Sequence, residues 1–260
     1  MKLEYIDGGA IQYFDKNETI EKIVWLWEYV EIKTDKVLKF GDLEVKDYKH
    51  KHVGSCTVHF RHKPPKKLHN VSFEGGYNSQ YGMPISEDGS KLFVGHWKRS
   101  RGKTKNGLQA YDIESDSLLW WLDEGKIRQI FVYSDYLVAL QVDGYVFKVC
   151  IHTGEVLSQL KSGTLENMFE LDSPYVFVDS IKGKLSVIDT ETMSIIKDYG
   201  KPHQSEIMNP RNCRSLVVNN AVLQDNILTI MGWDANPPGD DSITNNKDFS
   251  RVIDTNFSDL

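Results

Sequence analysis

Hydrophobic and polar residues follow one shared pattern in three segments of the chain. Each segment has a short apolar stretch, a polar turn containing serine or threonine, and a second apolar stretch, at residues 110–120, 148–158 and 187–197. Equivalent positions in successive segments lie 38 or 39 residues apart. A strand–turn–strand pattern that recurs about every 40 residues predicts small β-sheets that bury their faces against neighbouring copies.

The turn inside each segment has residues suited to a tight β-hairpin. Asp112 and Asp189 follow an apolar strand, and an aspartate side chain can accept hydrogen bonds from the backbone of the turn that it begins. Gly154 supplies the positive φ angle that such a turn requires. Further short apolar stretches precede each segment, so each repeat is predicted to contain four strands.

A fourth, longer copy of the pattern ends near Asp254. An insertion separates its second and third predicted strands, and its fourth strand is missing. Residues 1–6 could supply that strand. We therefore expect the two ends of the chain to pair in one sheet, which would remove exposed sheet edges.

The repeat has a family resemblance. Residues 110–120 follow the pattern A-x-D-x-x-[ST]-[GD]-x-x-x-W, which resembles the repeat of quinoprotein-like (PQQ-like) propellers, and residues 82–95 are similar to the strand–turn–strand opening of WD-type blades. The resemblance covers residues 80–260. It implies an all-β fold, a β-propeller of about five or six four-stranded blades. We expect one domain over residues 1–260, divergent at 1–79 and regular in the rest.

The first 79 residues fit the repeat poorly. Asp15 and Glu18 match a helix capping box. An apolar series follows at Ile20, Ile23, Val24, Trp27 and Val30. The same stretch is rich in β-branched and aromatic residues, which favour a strand. We favour a short N-terminal helix at 17–31 and keep a strand as the alternative.

Two predicted hairpins have long insertions between the second and third strands of their repeat. The first insertion follows Trp97 and is basic, and the second follows Trp233 and is acidic. Equivalent connections of a propeller emerge on one face, and tryptophan and arginine are common anchors of protein interfaces. The predicted partner-binding residues are Trp97, Arg99, Arg101, Trp233, Asp234, Asp240 and Asp241. The alternative is a pair of solvated hairpins with packed tryptophans.

Charge is distributed unevenly along the chain, whose net charge is −6. Residues 1–105 contain 19 lysines and arginines against 14 aspartates and glutamates, whereas residues 106–260 contain 12 against 23. This asymmetry favours a basic protein partner over nucleic acid. An acidic surface that only maintains solubility is the alternative. We expect the protein to be a monomer.

Candidate catalytic and metal-binding chemistry is sparse. The sequence has no nucleophile elbow and no glycine-rich phosphate loop, and its three cysteines are widely spaced. His50 and His52 would lie on the same side of a strand and are the candidate metal ligands. Nearby lysines and Gly54 favour an exposed turn there instead. We therefore predict no metal, no cofactor and no enzymatic activity.

Location and function follow from these absences and from the charge. No apolar stretch is long enough to span a bilayer, and Asp7 interrupts any secretory signal, so we expect a cytoplasmic protein. The preferred hypothesis is a non-catalytic, protein-binding propeller. Its narrower form is a bacterial immunity or antitoxin-type inhibitor that covers a basic effector such as a toxin nuclease. The alternatives are a small-propeller enzyme, cyclotransferase-like or hydrolase-like, and a scaffold subunit of a larger assembly.

Overall fold

Antiparallel β-strands make up the secondary structure of the computed structural model. It describes residues 2–6, 9–40, 43–69, 71, 84–96, 107–142, 144–162, 165–172, 174–180, 184–200, 216–234 and 247–257. Only the backbone is described within 27–54 and at 2, 3, 5, 96, 165, 166, 180, 216, 217, 233, 234 and 247–249. None of these residues is helical. The described part of the chain therefore contains no helix long and apolar enough to cross a membrane.

The chain divides into two compact units. The first comprises Met1–Arg128 and Val132–Ser134, and the second comprises Gln129–Phe131 and Asp135–Leu260. The described residues form five sheets, which agrees with the predicted five or six blades. The expectation of one domain stays a prediction.

The first unit contains two antiparallel sheets. Its strands are β1 (Lys2–Ile6), β2 (Gly9–Tyr13), β3 (Ile20–Phe40), β4 (Leu43–Phe60), β5 (Lys66–Leu68), β6 (Lys91–His96), β7 (Gly107–Asp112) and β8 (Ser117–Leu122). The sheets have the strand orders β1-β2-β3-β4-β5 and β6-β7-β8. Alternate residues such as Ile23, Trp25 and Val58 are buried together in the core of this unit, as expected for strands with one face packed.

Three further sheets follow in chain order. Their strands are β9 (Ile127–Val132), β10 (Tyr136–Gln141), β11 (Tyr145–Cys150), β12 (Val156–Lys161), β13 (Leu165–Glu170), β14 (Tyr175–Ser180), β15 (Leu185–Asp189), β16 (Ser194–Gly200), β17 (Leu216–Gln224), β18 (Ile227–Asp234) and β19 (Lys247–Asp254). The strand orders are β12-β11-β10-β9, β13-β14-β15-β16 and β17-β18-β19. Phe177, Val187 and Ile230 are fully buried in one core of the second unit.

The repeated turn has the predicted chemistry. One carboxylate oxygen of Asp112 accepts hydrogen bonds from the backbone N–H and the hydroxyl of Ser115, both at 2.6 Å. Asp189 accepts from the backbone N–H groups of residues 191 and 192. Gly154 has a φ angle of 75°, which confirms its predicted role. The equivalent residues Asp116 and Met193 adopt the same left-handed conformation at 54° and 52°.

A β-bulge recurs in the strand after each of these turns. In β8, Leu119 has no partner in register, because Leu118 pairs with Tyr111 and Trp120 pairs with Ala110. Leu157 is the extra residue in β12, and Ile196 is the extra residue in β16. A bulge inserts one residue and bends the strand. Strict alternation of inward and outward residues therefore fails at one point in β8 and β12 and at two points in β16, where Tyr199 is a second extra residue.

Buried amide side chains link the first strands of successive sheets in the second unit. Gln129 of β9 donates to the carbonyl of Met168 at 3.0 Å and accepts from its backbone N–H at 2.6 Å. Asn167 of β13 donates to the carbonyl of Val218 in β17 at 3.5 Å. Strands of separate sheets do not share a ladder of backbone hydrogen bonds. Each amide side chain therefore bonds to the backbone of the next sheet, because buried polar groups require partners.

The predicted helix at 17–31 is wrong, because this stretch leads into the long strand β3. The side chain of Asn17 accepts hydrogen bonds from the backbone N–H groups of Thr19 and Ile20, at 2.9 and 2.7 Å, and so forms a turn. Beyond the turn, Ile23 pairs with residues on both sides of β3. The local pattern of apolar residues fits a helix as well as a strand, and pairing with two neighbouring strands decides in favour of the strand.

The expected pairing of the two chain ends is also wrong. Strand β1 pairs with β2 from Lys2 opposite Tyr13 to Ile6 opposite Gly9. Only two residues separate these strands in the sequence. A short hairpin requires much less loop-closure entropy than a contact between the ends of the chain.

Candidate protein-interaction surface

The structure locates part of the predicted partner-binding face. Five of its residues lie outside the described part of the chain: Trp97, Arg99, Arg101, Asp240 and Asp241. Trp233 and Asp234 are the last residues of β18 and pair with Asp248 and Lys247 of β19. The acidic insertion thus begins at the predicted connection, between the second and third strands of its sheet. A common face for the two insertions stays a prediction.

The end of the basic insertion lies close to the end of β8. Gly107, the first residue of β7, has a φ angle of 135°. A Cβ atom at this position would be 2.0 Å from the carbonyl oxygen of Leu122 and 3.1 Å from Nε1 of Trp121. No side chain fits in that space, so glycine allows the chain to enter β7 directly beside Trp121.

Strand β8 exposes three large apolar side chains. Leu118, Leu119 and Trp121 are 49%, 43% and 38% exposed, whereas Trp120 between them is buried. The ring of Trp120 lies 6.0 Å from that of Phe93, measured between centroids. The bulge at Leu119 explains why two adjacent leucines are both exposed.

The backbone of β8 is also open along one side. Among the described strands, β8 pairs only with β7 and so forms an edge of its sheet. The other bulged edge strands expose fewer large apolar residues, namely Leu157 in β12 and Ile195 in β16. An apolar cluster on an unpaired edge is the kind of surface that another chain can cover.

Acidic residues lie at both ends of β8. Hydrogen bonds from Ser115 hold the pKa of Asp112 below its ordinary value. The pKa of Glu114 is lowered by a hydrogen bond and by the charge of Lys63, whose Nζ lies 2.7 Å from the carboxylate. Asp123 follows the strand and is exposed. The carboxylates at the start of the strand therefore stay ionised well below neutral pH.

Sequence reasoning overlooked β8 as a candidate surface. The available signal was the apolar run at 118–122, because strand alternation allows only every second residue to be buried on one face. Five consecutive apolar residues in a strand must therefore either be covered on both faces or leave some of them exposed.

The candidate metal ligands lie in the long strand β4. In the pairing of β3 with β4, His50 is opposite Glu31 and His52 is opposite Tyr29. Among the residues whose side chains the structure describes, no group of three histidines, cysteines, aspartates or glutamates could hold a metal. The stretch from 27 to 54 is not part of that set.

Comparison with known proteins supports the fold. No protein-family model matches the chain, and no curated protein matches it. The chain is similar to the computationally designed Ika8 protein, with 16% identity, a TM-score of 0.50, and coverage of 88% of this chain and 66% of that one. It also matches BamB from Moraxella catarrhalis, with 14% identity, a TM-score of 0.47, and coverage of 79% of this chain.

The RRP9 WD40 repeats match with 11% identity and a TM-score of 0.44, over 58% of this chain and 44% of that one. The chain spans 58% of the length of BamB and about two thirds of the length of Ika8. The repeat and the antiparallel sheets agree with the predicted propeller resemblance. The repeated antiparallel sheets and the similarity to Ika8 make this chain an all-β propeller.

Proposed function

We propose that the chain is a non-catalytic β-propeller that binds another protein through the edge strand β8. One observation carries the proposal: Leu118, Leu119 and Trp121 are more than one third exposed on a strand that, among the described strands, pairs on one side only. Tryptophan is enriched among the residues that contribute most to the binding energy of protein interfaces. Burying this cluster would remove apolar surface from water, which favours association.

An extended segment of the partner is the binding element that suits an open strand edge. Such a segment can add to a sheet through backbone hydrogen bonds, while its side chains contact the exposed residues of the edge strand. The bulge at Leu119 interrupts the regular spacing of the ladder. We therefore expect a short paired segment, with most of the affinity coming from contacts to the leucines and to Trp121.

Charge favours a basic partner. Residues 106–260, which include β8, contain 23 acidic and 12 basic residues, and Asp112, Glu114 and Asp123 flank the strand. Complementary charge accelerates association and helps to select the partner. The narrower proposal is an immunity or antitoxin-type inhibitor that covers a basic effector, such as a nuclease, in the bacterial cytoplasm.

Affinity capture with surface variants tests the proposal. Intact chain immobilised at its N-terminus is exposed to lysate of the cells that produce it, and bound proteins are identified by mass spectrometry. We expect one basic protein to be captured, and the double variant Leu118→Ser, Trp121→Ser to lose it. The matched control is Leu157→Ser, which removes an equally exposed apolar residue from β12.

Thermal unfolding of each variant checks that the fold is retained. Capture that is equal for the double variant and the control would contradict the use of β8, and capture of no protein at all would contradict the protein-binding function. The narrower proposal requires that the captured protein lose its nuclease activity when one equivalent of the chain is added. Retained activity would contradict it. Elution by added salt should confirm the contribution of charge.

A further inference from the structure

Strand β19 has a neighbour on one side only among the described strands, because it pairs with β18 alone. The sheets β9–β12 and β13–β16 each have four strands, in which the third strand, β11 or β15, is covered by a fourth, β12 or β16. Strand β19 has the place of a third strand, and no described strand lies where a fourth would pair with it. Strand β1, whose residues were the predicted fourth strand, pairs with β2 instead.

Hydrogen bonds at the ends of the strands align the sheet of β19 with that of β15. The carbonyl directly before β14, that of Pro174, accepts a hydrogen bond from the N–H of Thr190 at 2.9 Å. The carbonyl directly before β18, that of Asn226, accepts one from the N–H of Phe257 at 2.9 Å. Thr190 and Phe257 both follow the third strand and are both buried. The two sheets can therefore be compared position by position from the first residues of β14 and β18.

Two positions of β19 then have clear counterparts in β15. Val187 lies opposite the third residue of β14, and Val252 lies opposite the third residue of β18. Ser186 and Arg251 correspond in the same way, one pair further along the ladder. Val187 is fully buried, whereas Val252 is 51% exposed. The valine beside a fourth strand is thus covered, and the valine at the open edge is not.

Strand β16 shows the charge that a fourth strand places beside these positions. Asp198 of β16 pairs with Ser186, and its carboxylate lies 2.8 Å from Nζ of Lys184, which directly precedes β15. A segment in the same register on β19 would place an acidic residue directly opposite Arg251, which is exposed. Opposite charges that face each other across two antiparallel strands stabilise the pairing.

The three fourth strands of the chain also share an apolar feature. Each has two adjacent aliphatic residues near its start, at 118–119 in β8, 156–157 in β12 and 195–196 in β16. The first of the two in β16, Ile195, pairs with Ile188 of β15. The ladder position of Ile188 corresponds to that of Asp254 in β19. A segment that completes the sheet should therefore carry its aliphatic residues near Asp254.

We propose that the open edge of β19 binds an extended segment of another protein. The segment lies antiparallel to β19, with adjacent aliphatic residues near Asp254 and an acidic residue opposite Arg251. Backbone hydrogen bonds to an unpaired edge provide affinity, and the side chains provide specificity. This site goes beyond the β8 surface and differs from it in charge, because β8 is flanked by acidic residues and suits a basic segment.

A synthetic peptide with the sequence of β16, SIIKDYG, is the probe for this edge. Titration of the fluorescein-labelled peptide with the intact chain should give a saturable rise in fluorescence anisotropy. A peptide of the same residues in scrambled order should not bind, and neither should one that is N-methylated at every residue, because a strand ladder needs backbone N–H donors. Failure of the first peptide to bind, or equal binding of all three, would overturn the proposal.

A charge exchange tests the register. Arg251→Glu should weaken binding of the peptide by about 2–5-fold, the range of an exposed ion pair. A peptide that carries Asp198→Lys should show the reverse preference and bind the Arg251→Glu chain better than the unaltered chain. Val252→Ser should also weaken binding. An absence of this exchange would contradict the proposed register.

Matched controls alter similar residues elsewhere. Lys161→Glu reverses an exposed charge on the edge strand β12, and Val222→Ser removes an exposed valine from β17, in the same sheet as β19. Both variants should bind the peptide as the unaltered chain does. Losses in these controls equal to those of the β19 variants would mean that the peptide binds elsewhere.

Hydrogen exchange and NMR of the unaltered chain locate the bound peptide without any variant. Backbone amides of β19 should exchange rapidly in the free chain and more slowly with the peptide. A spin label at the N-terminus of the peptide should broaden the amide signal of Asp254 more than that of Ser250, and a label at its C-terminus should do the reverse. Protection of all β19 amides before the peptide is added would show that the chain itself or a second copy covers the edge, and would overturn the proposal.

Discussion

At the scale of single residues, Cys150 occupies the turn position that Asp112 and Asp189 occupy in two other repeats. Its sulfur accepts hydrogen bonds from the hydroxyl of Thr153 and from nearby backbone N–H groups. These hydrogen bonds lower the pKa of the Cys150 thiol, against a smaller opposing effect of burial. Cys56, by contrast, is fully buried, and burial and the charge of Asp116 raise its pKa to about 12. We therefore expect the thiol of Cys150 to be more reactive than that of Cys56.

Alkylation should distinguish the two cysteines. In a Cys213→Ser background at neutral pH, we expect iodoacetamide to modify Cys150 while Cys56 stays unmodified until the protein unfolds, as measured by peptide mass spectrometry. Thr153→Val should slow the modification of Cys150, because it removes the main hydrogen bond to the sulfur. Equal rates at Cys56 and Cys150 in the folded protein would contradict this prediction.

Acid should weaken the fold through Asp88. Burial raises the pKa of Asp88, but hydrogen bonds from Ser86 and Ser90, with the charge of Lys91, outweigh that effect and lower the pKa to about 2. Because the pKa is lower in the folded state, the carboxylate stabilises the fold above its ordinary pKa of 3.8, and this contribution is lost as pH falls towards about 2.

Urea unfolding at a series of pH values between these limits measures the effect. Asp88→Asn should flatten the decline of the free energy of unfolding over this interval. Ser90→Ala, which removes one donor, should reduce the decline in part. Identical curves for the three proteins would show that Asp88 makes no such contribution.

At the scale of secondary-structure elements, local chemistry predicted the turns well and the strand partners poorly. Asp112, Gly154 and Asp189 are recognisable as turn residues in the sequence, because a tight turn depends on residues that are adjacent in sequence. The stretch containing Ile20, Ile23 and other apolar residues suited a helix as well as a strand, and pairing with β2 and β4 decided the matter. The bulge that exposes Leu118 and Leu119 is a property of the paired strands and has no signal in either strand alone.

Close packing at the start of β7 should make Gly107 intolerant of a side chain. We expect Gly107→Ala to destabilise the protein by more than the roughly 1–3 kcal/mol of an unfavourable backbone conformation, because its Cβ would also clash with Leu122. Gly200→Ala is the matched control. Gly200 also has a positive φ angle, of 61°, but has no atoms within 4 Å of its added Cβ, so we expect a cost of about 1–2 kcal/mol.

Urea unfolding of the two glycine variants gives the comparison. If Gly107→Ala lowers the free energy of unfolding no more than Gly200→Ala does, the backbone can move apart at Gly107 and Leu122 without loss of stability. That result would contradict the prediction.

At the scale of the whole molecule, the 38–39-residue period was enough to predict an all-β propeller, because every repeat needs a neighbour to cover its faces. It did not predict the β8 surface. The two insertions are recognisable in the sequence by their length and charge, whereas the β8 surface depends on how the described strands pair.

We expect the protein to be a monomer in solution. Its net charge of −6 causes copies to repel one another, and acidic residues flank the exposed β8 strand. Light scattering during size-exclusion chromatography should give a mass near 29.8 kDa at moderate salt. The Leu118→Ser, Trp121→Ser variant should give the same mass. A dimer that this variant abolishes would mean that β8 binds a second copy of the chain.

The extra residues of the bulges, Leu119, Leu157 and Ile196, also bear on aggregation at high protein concentration or after partial unfolding. Amyloid-like growth needs a long, flat strand edge on which identical strands can stack at a regular spacing. Each of these residues breaks the even spacing of N–H and C=O groups near the start of its edge strand. An incoming strand can therefore form only a few bonds before it loses register. We therefore expect the repeated bulge to oppose fibril formation, and a deletion that straightened one of these strands to favour it.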